Sequence, residues 1–124
     1  MAVESRVTVH NIKHVTVVNF RDSSMLDMAL IEDIGRMLYP LVDRQDRRHM
    51  VLDFSEVEFM SSSTLGVLLT LRQKLMKVGG RAAICGLRPE LRRVFKIAAI
   101  EKMFDFYRNE EEALNSFGVH TTER

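Results

Sequence analysis

Residues 51–69 read VLDFSEVEFMSSSTLGVLL, and this stretch contains the change of pattern that decides the fold. The apolar run from Met50 to Phe54 is typical of a buried strand. After a loop, four hydroxyl residues lead into apolar side chains at helical spacing, which predicts a helix to about Val78. The pair Gly79-Gly80 ends this helix, because glycine is favoured just beyond a helix C-terminus.

The same alternation of strand and helix continues in both directions along the chain. Two β-branched runs at residues 6–10 and 14–20, with a turn at Asn11, predict an opening hairpin. The other predicted elements are a helix at 27–42 with Asp27 as its N-cap, a strand at 81–85, a helix from Pro89 to about 99, a strand at 104–107 and a helix at 110–117. The order β-β-α-β-α-β-α-β-α predicts a small α/β domain, in which helices pack against a mixed sheet.

Length and composition favour one globular domain. At about 100–200 residues per domain, a chain of 124 residues has room for one. We expect this domain to span residues 1–124, with a core at 6–117 and a flexible tail at 118–124. Apolar residues make up 46% of the chain, which is enough for one core. The net charge of +1 argues against general binding to nucleic acid or to membranes.

Targeting signals and cysteine content favour a cytoplasmic protein. The longest uncharged stretch, at 59–71, is shorter than the ~18 apolar residues of a membrane span, so we expect no insertion into a membrane. The first residues include Glu4 and Arg6 and no apolar run, so no secretion signal is expected. The single cysteine, Cys85, excludes an internal disulfide framework and a multi-cysteine metal site.

The sequence contains no pattern that indicates catalysis, a cofactor or a metal. The four histidines stand apart from one another and from Cys85, so no metal site is expected. There is no GxSxG motif, which leaves a serine nucleophile as a minor alternative. The helix that begins at Pro89 has a basic face, which is either solvated or a contact for an acidic partner. Its members are Arg88, Arg92, Arg93 and Lys96.

The run Ser61-Ser62-Ser63-Thr64 lies where a loop becomes a helix. One serine is enough to cap the free N–H groups of a first helical turn. Helix N-termini favour negative charge, so a phosphate on one of these serines would change the surface without melting the helix. The run is therefore either a cap with its loop or a phosphorylation switch at a protein interface.

The neighbours of the serines offer further contact candidates. The apolar arc of the following helix spans roughly 200°, where a one-sided surface helix needs about 100°. Either this helix is mostly buried, or Val67 and Leu71 stay exposed for a partner. Met25 and Met60 are adaptable contact candidates beside the serines. The loop at 21–25 is expected near them, as a specificity element or as a plain surface loop.

Two runs, VLDFS at 51–55 and FMSSSTLGVL at 59–68, resemble the signature of the STAS domain in bacterial anti-sigma factor antagonists. The resemblance covers residues 6–117 and implies a small mixed sheet with helices packed against it, in agreement with the predicted order. Besides the signature, it extends to Gly79-Gly80, the strand that ends at Cys85, Arg88-Pro89-Glu90, Phe104 and the run at 111–114.

This resemblance implies a non-enzymatic regulator of transcription. Family members bind an anti-sigma factor, often a serine kinase, and so release a sigma factor. Phosphorylation of one serine breaks the complex, and a phosphatase restores it. That serine corresponds to Ser62, and Asp27 corresponds to an acidic residue beside it. The predicted partner-binding residues are Met25, Asp27, Ser61, Ser62, Ser63, Thr64, Val67 and Leu71. We expect no cofactor, and a monomer or a weak homodimer.

Two residues depart from the family pattern. Ser61 stands where the family has aspartate, and Thr64 stands where it has glycine. Serine caps a helix about as well as aspartate, so the fold should be kept. The negative charge of the family's aspartate is missing at Ser61, and this changes what a kinase would recognise beside Ser62. The alternative function is therefore a STAS scaffold that is never phosphorylated and serves a signalling or membrane transport complex.

Overall fold

In a computed structural model that describes residues 6–120, strands and helices alternate as predicted. The strands are β1 (Val7–Ile12), β2 (Val15–Phe20), β3 (Ser24–Met25), β4 (His49–Asp53), β5 (Phe59–Met60), β6 (Arg81–Cys85) and β7 (Asp105–Tyr107). The helices are α1 (Met28–Asp43), α2 (Ser62–Lys77), α3 (Pro89–Ile97) and α4 (Glu110–Ser116), with a 3₁₀ turn at Glu101–Met103.

Five strands form one mixed sheet in the order β1-β2-β4-β6-β7. The hairpin β1–β2 is antiparallel, and β2, β4, β6 and β7 run parallel to one another. Parallel neighbours need crossover connections, which α1, α2 and α3 supply. Because these strands share one direction, all four helices begin at the same edge of the sheet, at the carboxyl ends of the strands. The small mixed α/β fold predicted from the sequence is confirmed.

The two faces of the sheet bury two separate apolar clusters, because alternate residues of a strand point to opposite faces. Met50 and Leu52 of β4 belong to the larger cluster, which α1, α2 and α3 cover, whereas Val51 between them belongs to the smaller one. Helix α4 covers the smaller cluster with Ala113 and Leu114. The helices of the larger cluster contribute Leu30, Ile34, Leu38, Leu68, Leu71, Leu75, Leu91 and Phe95.

The strand limits differ from the predicted ones where the turn chemistry was misjudged. Strand β1 continues through Asn11 to Ile12, and the hairpin turn lies at Lys13, which has a φ of 56°. Strands β3 and β5, which were not predicted, have two residues each and pair with one another in a second, parallel sheet. Strands this short have no detectable alternation of their own and form only because the pairing brings them together.

The predicted flexible tail is wrong at its first residues. Gly118 has a φ of 82°, and this turn lets the N–H of Val119 donate to the Leu114 carbonyl at 3.0 Å. Val119 is buried in the smaller cluster, so the chain stays packed on the sheet beyond α4. Residues 121–124 of the predicted tail lie outside the described residues.

Candidate functional site

The first residues of α1 and α2 lie next to each other at the carboxyl edge of the sheet. The pairing of β3 with β5 places Met25 beside Met60. Immediately beyond this pair, the Met25 carbonyl accepts the N–H of Ser61 at 3.0 Å and the Thr64 hydroxyl at 3.5 Å. The loop at 21–25 therefore lies against the serine run, as the sequence predicted, and it joins the segment that leads into α1 to the start of α2.

Ser62 is the first residue of α2, and its side chain is exposed. Ser63 is half-buried, and Ser61 precedes the helix in an extended conformation as its N-cap. The Ser61 hydroxyl oxygen is buried and makes no hydrogen bond to any residue that the structure describes. The Ser61 side chain therefore supplies no capping hydrogen bond to α2, although its residue type and position favour one. A kinase or a partner can reach the hydroxyl of Ser62 without unfolding the helix.

Asp27 caps α1, as its sequence position predicted. Its Oδ1 accepts the N–H of Ala29 at 2.9 Å, and the residue itself is exposed. The carboxylate thus satisfies one of the free N–H groups of the first turn and is also stabilised by the helix dipole. Its negative charge lies on the surface two residues after Met25, whose carbonyl binds the start of α2.

Three of the predicted partner-binding side chains are buried in the protein, and those predictions are wrong. Met25 packs into the larger core, because its strand pairs with β5. Leu71 is fully buried between Leu68 and Leu75 on the core side of α2, so it is not exposed for a partner. The helix is buried along this side only, since Met76 is 56% exposed. The Thr64 side chain is buried, and its hydroxyl donates a hydrogen bond to the Met25 carbonyl. Val67 is half-buried, so part of its side chain remains accessible.

Three exposed apolar residues, which were not predicted from the sequence as contact residues, lie near the two helix starts. Leu26, Met28 and Phe59 are 55%, 62% and 56% exposed. The sequence contained a signal, since Leu26 and Met28 flank the cap Asp27, and Phe59 precedes the serines by two residues. A group of large exposed apolar side chains is a candidate interaction surface.

A groove of about 380 Å³ opens beside the start of α2. An ion pair between Arg88 and Glu58, 3.8 Å apart, lies at this groove and ties the start of α3 to the loop before β5. The groove thus combines apolar walls with charged groups, a composition that suits a protein partner. The lining residues are Leu26, Glu58, Phe59, Met60, Arg88, Glu90 and Leu91.

The rest of the basic face on α3 is partly used inside the protein. Arg92 binds Glu101 at 2.9 Å, and its guanidinium stacks over the Phe106 ring at 4.2 Å from the ring centre. These contacts tie α3 to the last strand. Arg93 and Lys96 are exposed on the same helix.

Two of the four histidines, His14 and His49, have structural surroundings at the opposite edge of the sheet. The rings of His14 and His49 pack edge to face with their centres 5.3 Å apart, and His14 Nε2 donates to the Phe117 carbonyl at 3.1 Å. Burial, followed by the positive charges of His14 and Arg81, lowers the pKa of His49. Within residues 6–120, no group of three or more potential ligands could hold a metal ion. No helix in the same range is both long and apolar enough to cross a membrane.

Comparisons with known proteins agree with this geometry. The family model described as "STAS domain" matches residues 6–113. The chain is 29% identical to the anti-sigma F factor antagonist of Paenibacillus polymyxa over 106 residues. The aligned residues cover 86% of this chain and 91% of that protein.

Two solved structures of the anti-sigma factor antagonist SpoIIAA share the fold. The unphosphorylated form superposes with a TM-score of 0.78 at 20% identity, over 93% of this chain and 99% of SpoIIAA. The phosphorylated form, from Bacillus, superposes with a TM-score of 0.72 at 20% identity, over 90% of this chain and 98% of that one.

Proposed function

Because the chain belongs to the STAS domain family, we propose that it is an anti-sigma factor antagonist whose binding surface is switched by a phosphate on Ser62. The name of its relative from Paenibacillus polymyxa supports the coarser part of this function. The observation that carries the finer part is the exposed hydroxyl of Ser62, at the first residue of α2 and between exposed apolar side chains.

The proposed binding surface combines the two helix starts. It comprises the sequence-predicted residues that remain accessible and the apolar residues that the fold exposes beside them. The apolar side chains supply the area that is removed from water, and Asp27 supplies a charge that orients the partner. The surface residues are Leu26, Asp27, Met28, Phe59, Ser61, Ser62, Ser63 and Val67.

A phosphate on Ser62 changes this surface without changing the fold. It adds a charge of about −1.5 to −2, which the N-terminus of α2 tolerates because its dipole and free N–H groups favour anions. A partner that had buried Ser62 would then have to desolvate this charge beside the carboxylate of Asp27. Binding is therefore lost while α2 remains helical.

The partner in this proposal is an anti-sigma factor with serine kinase activity, and a phosphatase removes the phosphate. SpoIIAA exists in an unphosphorylated and a phosphorylated form, which supports such a cycle for a chain of this fold. The chain itself acts without a catalytic step, as one STAS domain in a monomer or weak homodimer. Under this proposal, the cycle takes place in the cytoplasm, where the sigma factor works.

The test compares two variants of Ser62 with a matched control. The anti-sigma factor captured by the wild-type chain from its own cell extract is purified and titrated against each variant. Ser62→Asp is expected to weaken binding about tenfold or more, and Ser62→Ala to change it by less than about twofold. Gln73→Glu adds the same charge to an exposed position of α2 about three turns away and should leave binding unchanged.

Mass spectrometry of the protein purified from its own cells decides between the switch and the constitutive scaffold. A phosphoserine at Ser62 under some growth condition is expected. Equal affinities for Ser62→Asp and Ser62→Ala, with no phosphoserine found, would favour the scaffold. In the scaffold alternative, the departure at Ser61 has removed the charge that the kinase needs.

A further inference from the structure

A polar cluster lies at the carboxyl edge of the sheet, on the face that α4 covers. Asn19, Asp53 and Cys85 are neighbours in register on β2, β4 and β6, and Glu110 in the first turn of α4 closes over them. The Asn19 Nδ2 donates to Asp53 Oδ2 at 3.1 Å and to Glu110 Oε2 at 2.5 Å. One amide nitrogen therefore binds two carboxyl groups.

Within the described residues, no positively charged side chain forms an ion pair with Asp53 or Glu110. The basic residues nearest in sequence are engaged elsewhere, since Arg21 pairs with Glu56 and Arg108 with Glu112. On β6, the group next to Asp53 in register is the Cys85 thiol, which is buried. Burial raises the pKa of this thiol, so it stays neutral and supplies no charge.

Two carboxyl groups can hydrogen bond to each other only if one of them carries a proton. Asn19 holds the carboxyl groups of Glu110 and Asp53 next to each other, and the interaction with Asp53, followed by burial, raises the pKa of Glu110. Asn19 stabilises the charged form of Glu110 and opposes the shift. With both groups ionised, two like charges would face each other in a partly buried site and repel.

We propose that a proton held between Asp53 and Glu110 latches the first turn of α4 to the sheet, and that its loss as the pH rises releases this turn. The latch also joins α4 to the segment before the serines, because Asp53 Oδ1 accepts the N–H of Ser55 at 2.9 Å. An acid whose pKa is raised by folding stabilises the folded state less as the pH rises from its ordinary value through its folded value. The latch therefore holds on the acid side and weakens on the alkaline side.

The test is hydrogen exchange of the α4 amides, followed by mass spectrometry and corrected for the intrinsic exchange rate at each pH. In the wild type, protection of α4 is expected to fall about tenfold between about pH 5 and about pH 8. Glu110→Gln keeps the shape, donates an N–H to Asp53 and cannot ionise, so it should stay protected throughout. Glu111→Gln removes the same charge from the adjacent, exposed residue and should follow the wild type.

Each other outcome overturns the latch. Protection of α4 that is independent of pH in the wild type would contradict it, and so would a Glu110→Gln protein with the same pH dependence as the wild type. If Glu110→Gln and Glu111→Gln changed the pH dependence of α4 protection equally, the cause would be a general charge effect and not the pair of Asp53 and Glu110. Asp53→Asn removes the other acid and, if the pair is the cause, should also abolish the pH dependence.

Discussion

The starts of α1 and α2 lie side by side at one edge of the sheet, yet only one of them is capped by a side chain. The Asp27 side chain accepts the N–H of Ala29 at 2.9 Å, which satisfies one of the free N–H groups in the first turn of α1. Ser61 occupies the equivalent place before α2, but its hydroxyl oxygen is buried and makes no hydrogen bond to a described residue. The two helix starts thus have the same position and different chemistry.

This difference separates a structural helix start from one that is free to take part in binding. The first turn of α1 already has an acceptor within the chain, so Asp27 both stabilises the helix and presents a charge. Within the described residues, the first turn of α2 lacks a side-chain acceptor, and its backbone partner is the Ser61 carbonyl, which accepts the N–H of Thr64 at 3.1 Å. Such a helix start suits a phosphate or an acceptor on a partner. Ser62 lies at this second start, where a change of charge does least harm to the fold.

If the starts of α1 and α2 form one docking surface, the largest effect is a loss of binding affinity when an exposed apolar residue beside either start is replaced. Leu26→Ser, beside α1, and Phe59→Ser, beside α2, should each weaken binding of the captured anti-sigma factor about tenfold, because each removes an exposed apolar contact. Ile97→Ser changes a side chain that is 80% exposed at the end of α3 and is the matched control. Titration calorimetry measures the three affinities. A loss for only one of the two residues would restrict the surface to one helix start.

A smaller effect is expected from the cap of α1. Asp27→Ala should lower the free energy of unfolding by about 1 kcal/mol, because the N–H of Ala29 loses its acceptor. Asp27→Asn keeps an acceptor oxygen and should restore most of this loss, although the charge is gone. Urea unfolding measures both. If Asp27→Asn is as unstable as Asp27→Ala, the charge and not the hydrogen bond stabilises α1.

The smallest effect is expected at Ser61. Ser61→Ala should change the free energy of unfolding by less than about 0.5 kcal/mol, because the hydroxyl that it removes caps nothing and is buried without a partner. The same urea unfolding experiment measures it beside Asp27→Ala. A loss of about 1 kcal/mol for Ser61→Ala would mean that the hydroxyl caps α2 in solution, and the contrast between the two helix starts would disappear.

The patterns in the sequence that were interpreted correctly are those with a local cause. The stop at Gly79-Gly80 agrees with the positive φ of Gly79, and the strand at 81–85 has the predicted limits. The cap at Asp27 was also predicted, because it depends only on residues within one turn. The misjudged hairpin turn shows the limit of this approach, since Asn11 has turn chemistry but lies in the β1 ladder opposite Thr16.

For the candidate site, the sequence could predict the accessibility of its residues only in part. The resemblance pointed to Ser62, and the structure leaves Ser62 exposed. The same sequence pattern could not separate Met25, which is buried, from its neighbour Leu26, which is exposed. Both are apolar and lie in a loop, and only the pairing of β3 with β5 decides which of them turns inward.

By itself the sequence determined the order of strands and helices, their approximate limits and the place of the serine run, because periodicity and capping act between residues close in the chain. Only the tertiary structure decided which apolar residues are exposed and which acidic residues lie next to each other. Asn19, Asp53 and Glu110 come from three separate elements, and their contact follows from strand order and from the packing of α4. Such contacts depend on residues far apart in sequence, and no local pattern encodes them.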